Sequence, residues 1–323
     1  MRATVYVASR KEPGSICQYS LLDSGVLTFQ KAYSIPCPAY LAIEGDSLYA
    51  LLREPFLMQS GVAQYRINSD HSLSQTSDII PVHGAIAAHL LAFNSQIYVA
   101  NYLSSSIVRL SDKCALYRGH GPVPIRQECP HPHCIAISPS DNLLCVADLG
   151  ADRIWLHDLD LNNKGCIALP PGCGPRHLAF SKDGRYLYCV TELASTVEVL
   201  KRTENSFERI ASYPTIPPNY QGKNAGSAIR LSADGKYLYA SNRGHNSICT
   251  FAIDGETLEK VSTVSCAGQS PRDFILFDKF LLCGNELSNE LVIFSIENNG
   301  TPKNTGHRAS VQMPWSILAT PSA

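Results

Sequence analysis

The stretch "SKDGRYLYCVTELAST" at 181–196 returns as "SADGKYLYASNRGHNS" at 232–247, and a chain that repeats itself in this way has few architectures open to it. "SPSDNLLCVADLGADR" (138–153), "FDKFLLCGNELSNE" (277–290), "FNSQIYVANYLSSS" (93–106) and "EGDSLYALLREP" (44–55) fall into the same frame. The equivalent apolar position is Leu48, Ile97, Leu144, Leu187, Leu238 and Leu281. These six copies recur at a period of roughly 45 residues, within the range of propeller blades.

Each copy carries the same local signals. An apolar run precedes a polar turn such as Asp183-Gly184, an alternating run follows, and a third strand such as "STVEVLK" or "NSICTFAI" comes after a polar loop. A fourth stretch, for example "FERIASYP" or "LEKVSTVSC", completes the unit. Four antiparallel strands per repeat without helical periodicity make an all-β propeller. A seventh blade comes from the two ends of the chain. "TVYVASR" (4–10) aligns on the second strand "YLYASNR", and "MPWSILAT" (313–320) aligns on the first strand "GPRHLAFS". One blade built from both termini closes the ring and leaves no open sheet edge. The expectation is a seven-bladed β-propeller, one domain over 1–323.

Composition narrows the function classes. A formal net charge of −1 argues against nucleic acid or an acidic membrane as the main partner. The twelve cysteines include no CxxC pair, and Cys145, Cys189, Cys249 and Cys283 sit in apolar runs where a reduced thiol packs as a small hydrophobe. "MRATVYVASR" is an alternating strand without an apolar signal core, and no segment is long enough to cross a bilayer. The reading is a reducing cytoplasm, with a monomer as the default.

Strand direction then sorts the polar residues. In such a meander the start of the first strand and the end of the second lie at one end, opposite the turn that joins them. Residues just before or at the start of the first strands are His83, His131 and His133, Arg176 and His177, Arg272 and Asp273. The second strands end, in chain order, on Arg10, Arg53, Tyr102, Leu149, Glu192, Arg243 and Glu286. One position earlier stand Asn101, Asp148, Asn242 and Asn285. One mouth of the channel is thereby rich in arginine, histidine and carboxylate, while the other carries ordinary turn residues. Asn242 and Asn285 read as turn formers, and His177, on the opposite side of its strand from Arg176, as packing between blades. Several buried arginines in one funnel need an anionic partner.

These same motifs, "PHPHC", "GPRHLAFSKDGRYLYCVTEL", "GSAIRLSADGKYLYASNRGHNSI" and "PRDF" with "NELSNELVIFSI", resemble the seven-bladed lactonase family. That family holds the propeller-type bacterial 6-phosphogluconolactonases and the fungal carboxymuconate-lactonizing enzymes. The resemblance spans nearly the whole chain and is weakest in the first blade and at 53–62. It implies catalytic roles for His133, Arg176, Glu192 and Arg243. Blade two reads "VHGAIAAHL", short of the family motif, so no role carries over to His83 or His89.

Hydrolysis of a small anionic sugar lactone needs a base for water and positive charge for the oxyanion. Glu192 or His133 would move the proton, and Arg176 and Arg243 would polarise the carbonyl. Arg272, with Arg10 and Arg53, would hold a phosphate or carboxylate. Glu286, Asp148, His131 and Asn101 complete the expected substrate-binding set, with no cofactor and no metal. Two rivals stand beside this reading. One is a muconate-type cycloisomerase. The other is a protein-binding propeller, whose Trp-Asp signature is absent because neither Trp155 nor Trp315 precedes Asp. A calcium-dependent site would set a cation among arginines that repel it.

Overall fold

In the computed structural model, which describes residues 2–110 and 112–321, seven sheets are arranged as blades. Positions 1, 111, 322 and 323 of the expected domain lie outside the described residues. The innermost strands of blades one to six are Pro38–Glu44, Ala87–Phe93, Pro132–Ile137, Pro175–Phe180, Ala225–Leu231 and Pro271–Phe277. Blade seven is ordered Pro314–Pro321, Ala3–Ser9, Ser15–Leu21, Leu27–Ser34, so both chain ends share it, as the alignment of "MPWSILAT" required. The fourth strands Phe207–Pro214 and Thr257–Ser265 also fall where the sequence put them.

The second strands explain why the ring packs. In Ala3–Ser9 every residue is buried, because alternate side chains enter different interfaces. Val5 and Val7 join Leu282 and Ile293 of blade six, whereas Tyr6 and Ala8 join Leu48 and Ala50 of blade one. The same division in the other blades gives an apolar cluster at each blade-to-blade seam. Tyrosines carry a polar latch across the seams. The hydroxyls of Tyr6, Tyr98 and Tyr239 donate to the carbonyls of His71, Leu159 and Gly300 at 2.6, 2.9 and 2.9 Å, each on a turn of the next blade. A buried phenol is thereby satisfied while its ring stays in the core.

Blade one departs from the repeat. Its second strand runs on from Ser47 to Phe56 and its third begins at Gln59, so the irregular stretch at 53–62 is an extended hairpin with Leu57 and Met58 exposed at its tip. All twelve cysteines are free thiols, and eight of them are buried. No helix of the described residues is long and apolar enough to cross a membrane.

Candidate active site

Every inner strand breaks register at one point near its start. Pro132 pairs with Asp148 and Cys134 with Ala147, leaving His133 unpaired between them. Arg176, Arg272, Ala39, Ala88 and Trp315 are skipped in the same way. In blade five, Ser227 and Ala228 together face Ser241. A bulge re-aims the side chain of its extra residue, and repeating it round the ring sends one residue per blade toward the axis. Six of these residues line a cavity of about 170 Å³: Ala39, Ala88, His133, Arg176, Arg272 and Trp315.

A second ring is supplied by the ends of the second strands. Arg53, Tyr102, Glu192 and Arg243 complete the lining together with Arg126. The backbone fixes this ring: the amides of Arg10, Arg53, Glu192 and Glu286 donate to the carbonyls of Met313, Cys37, Gly174 and Ser270. Gly174 is required here. Its φ is +63° and a Cβ would lie 2.6 Å from Cγ of Leu193, so a side chain here would strain the backbone and crowd Leu193.

Glu192 is the electrostatic centre. Its Oε2 accepts from Nε of Arg176 at 2.9 Å and from Nη2 of Arg243 at 2.8 Å, and Oε1 accepts from Nη2 of Arg126. Burial alone would push its carboxyl up, but Arg243 and Arg176 hold it well below the usual carboxylate range. Arg176 also donates to the carbonyl of Ser227 at 2.7 Å, and burial with Arg243 beside it lowers its guanidinium to about 10. His133 is neutral: burial and then Arg176 drive it well below its ordinary value, against a smaller lift from Glu192. Its Nδ1 has no partner among the described residues.

Across the cavity, Trp315 gathers three guanidiniums. The Cζ atoms of Arg272, Arg10 and Arg53 lie 3.6, 4.3 and 5.3 Å from its ring centroid, which is cation–π range. The indole nitrogen donates to Oε1 of Glu286 at 2.7 Å, and Arg272 approaches Oε2 at 3.5 Å. Glu286 therefore stands behind the lining and holds the indole in place. Burial, chiefly, lowers Arg272 to about 9.

Of the expected ligand-binding residues, Arg272 and Arg53 line the cavity, Glu286 and Arg10 contact the lining residue Trp315, and three others sit elsewhere. Asp148 is fully buried at the blade-three corner, where its oxygens accept from the amides of His131, Gly150 and Ala151 and from the indole of Trp155. Asn101 donates to the carbonyl of His83 and to Ser106, the same corner duty that Asn242 performs with Thr215 and Ser247. His131 stacks on Tyr102 with ring centroids 4.2 Å apart and donates through Nδ1 to that residue's carbonyl. The second-strand position that precedes the lining residue is turned into the corner, which strand counting by itself does not reveal.

Besides the small Ala39 and Ala88, two lining residues escaped the sequence reading. Trp315 occupies the frame position of Arg176, so the alignment of "MPWSILAT" on "GPRHLAFS" already carried the signal. Arg126 lies in the loop 117–131 between blades two and three, outside the repeat, and nothing in the sequence marked it. Below the cavity, His177 packs against His133 and His89 at ring-centroid separations of 5.5 and 5.9 Å, and Tyr40 lies 4.1 Å from His89.

The comparisons with known proteins agree with this fold. The family model described as "Lactonase, 7-bladed beta-propeller" matches residues 4–319. The chain belongs to the seven-bladed β-propeller lactonases. It is 31% identical to a protein of Bacillus subtilis named 6-phosphogluconolactonase, over 97% of this chain and 96% of that one. A crystal structure from Lactobacillus plantarum superposes with a TM-score of 0.92 at 26% identity, covering 99% of this lactonase and 100% of that chain. The periplasmic gluconolactonase of Pseudomonas aeruginosa matches with a TM-score of 0.88 over 100% of both chains, and at 24% identity it speaks for the fold alone.

Proposed function

We propose that this lactonase hydrolyses a small anionic sugar lactone, in the manner of a 6-phosphogluconolactonase. The observation that carries the reading is the charge of the cavity: Arg53, Arg126, Arg176, Arg243 and Arg272 face it against Glu192 alone. Buried guanidiniums in such excess call for an anionic occupant. At about 170 Å³ the space suits a small polar molecule and falls below the ~300 Å³ from which drug-sized ligands are housed.

His133 is the base in this proposal, because it is neutral and lines the cavity. It takes a proton from water as the water oxygen attacks the lactone carbonyl. Arg176 and Arg243 stabilise the developing oxyanion, held in place by their shared bonds to Oε2 of Glu192. As the ring C–O bond breaks, the imidazolium returns its proton to the leaving alkoxide. Glu192, kept ionised by its arginines, stabilises the imidazolium in between. General-base help of this kind is worth ~10²–10⁴-fold. Arg272, Arg53 and Arg10, backed by Trp315, hold the substrate's remote anionic group.

The test is direct. Protein is incubated with 6-phosphoglucono-δ-lactone and, separately, with 3-carboxymuconate, each beside an uncatalysed control. Acceleration of the first alone is expected, and acceleration of the second alone would replace hydrolysis by cycloisomerisation.

A further inference from the structure

We propose that Arg126 is an exchangeable partner of Glu192: the anionic group of the substrate draws its guanidinium off the carboxylate, and the freed carboxylate strengthens His133 as a base. This rests on the lactonase reading and adds to it a device that ties the chemical step to recognition of the anion.

The three arginines on Glu192 are not equivalent. Arg176 and Arg243 come from blade strands, and their side chains are 3% and 17% exposed. Arg126 comes from the loop 117–131 and its side chain is 40% exposed. The first two share Oε2, whereas Arg126 alone takes Oε1. It can therefore leave without disturbing the pair that faces the carbonyl. An exposed arginine gives up a carboxylate more readily than a buried one, since water screens its partner and replaces lost bonds.

The loop backbone beside Arg126 is bolted down, so the exchange is a swing of the side chain. Gln127 is buried, and its amide donates to the carbonyl of Leu149 and to Oδ1 of Asp152, both at 2.8 Å, while accepting from the amide of Val123 at 3.1 Å. Arg126 is also on the correct side of the cavity. The phenol of Tyr102 feels both Arg126 and Arg53, which lower it against the lift from burial. Arg53 has no carboxylate within salt-bridge distance among the described residues, so an anion brought to it meets a second guanidinium across the tyrosine. A phosphate dianion carries twice the charge of Glu192 and accepts a planar donor fork equally well.

The consequence for catalysis follows from Coulomb's law. With Arg126 in place, part of the field of Glu192 at His133 is offset by the guanidinium on Oε1. With Arg126 on the substrate, more of that field reaches the imidazole, and the imidazolium forms more easily. A neutral lactone of the same shape would leave the base masked.

The experiment compares wild type with Arg126→Ala and Arg126→Lys on 6-phosphoglucono-δ-lactone and on unphosphorylated glucono-δ-lactone. For Arg126→Ala, kcat/KM on the phosphorylated lactone should fall roughly 10- to 100-fold, the worth of one charged hydrogen bond. On the neutral lactone it should rise, with the acid limb of its pH profile moved to higher pH. Arg126→Lys should keep the wild-type preference. A parallel fall on both lactones, or no change on either, overturns the exchange. So does a loss confined to the phosphorylated lactone with the pH profile unmoved. A second measurement does not depend on turnover: crystals grown with inorganic phosphate should show Arg126 on the phosphate and off Oε1 of Glu192. Phosphate absent from the cavity, or Arg126 still on Glu192 beside it, overturns the proposal. If wild type hydrolyses neither lactone, the lactonase reading fails, and the phosphate crystals still decide the exchange.

Discussion

Nε of Arg176 donates to Oε2 of Glu192 at 2.9 Å, and with side chains 3% and 8% exposed the pair is cut off from bulk water. Removing the acid from such a pair leaves buried positive charge without compensation. Glu192→Gln should therefore lower unfolding stability by about 3 kcal/mol, measured by denaturant titration at pH 7. Lactone hydrolysis should fall ~10²-fold or more as Arg176 and Arg243 lose their common anchor. Unchanged stability and rate together would show that the arginines have another counter-charge.

His133→Asn should reduce kcat by ~10²–10⁴ with little change in KM, since the step lost is proton transfer. In wild type, kcat/KM should rise with pH through the depressed value of this imidazole and be flat by its ordinary value of about 6.5. The depression by burial and Arg176 sets that sign. An acid limb centred above pH 7 would assign the base elsewhere.

Trp315 gathers Arg272, Arg10 and Arg53, so under the proposed function Trp315→Phe should mainly affect binding. The ring keeps part of its cation–π attraction for Arg272, Arg10 and Arg53 but loses the 2.7 Å bond to Glu286. KM for a phosphorylated lactone should rise about 10-fold with kcat nearly unchanged, which matches one neutral-to-charged hydrogen bond. A fall in kcat without a change in KM would place the indole at the reacting centre instead.

His89, His133 and His177 make stability depend on acid. Burial is the largest cause lowering all three, to about 3 for His89, and the positive charges of Arg176 and Arg230 reinforce it at His89 and His177. The unfolded chain binds a proton on each imidazole as pH drops below about 6.5, and the folded chain does not. Stability is therefore full above that value and declines as pH falls toward the folded values, by about 1.4 kcal/mol per unit for each histidine. Denaturant unfolding at pH 7 and pH 5 should show the loss, and His177→Phe should make the slope shallower. Equal stability at the two pH values would mean that the histidines are solvated.

The repeat made most of this architecture readable from residues alone. A period-two strand buried on both faces, a polar turn and a fixed spacing specify a blade, and the alignment of both termini specifies closure. The same frame placed His133, Arg176, Glu192 and Arg243 at one mouth. It failed for Asp148 and Asn101, whose second-strand position is turned into the blade corner, and for His131, which stacks on Tyr102. Trp315 was overlooked since an indole in an inner strand looks like core until three arginines are seen around it. Arg126 was out of reach: loop 117–131 has no counterpart in the repeat, and its course is tied down by buried side chains such as that of Gln127.

The central claim is that this cavity accelerates water attack on a phosphorylated sugar lactone. Acid release from 6-phosphoglucono-δ-lactone, followed in a pH-stat at neutral pH, tests it most directly. The account requires a saturable rate well above spontaneous hydrolysis that disappears in a preparation of the Glu192→Gln, His133→Asn double variant. A rate equal to that of buffer, or one that survives in the double variant, would contradict it.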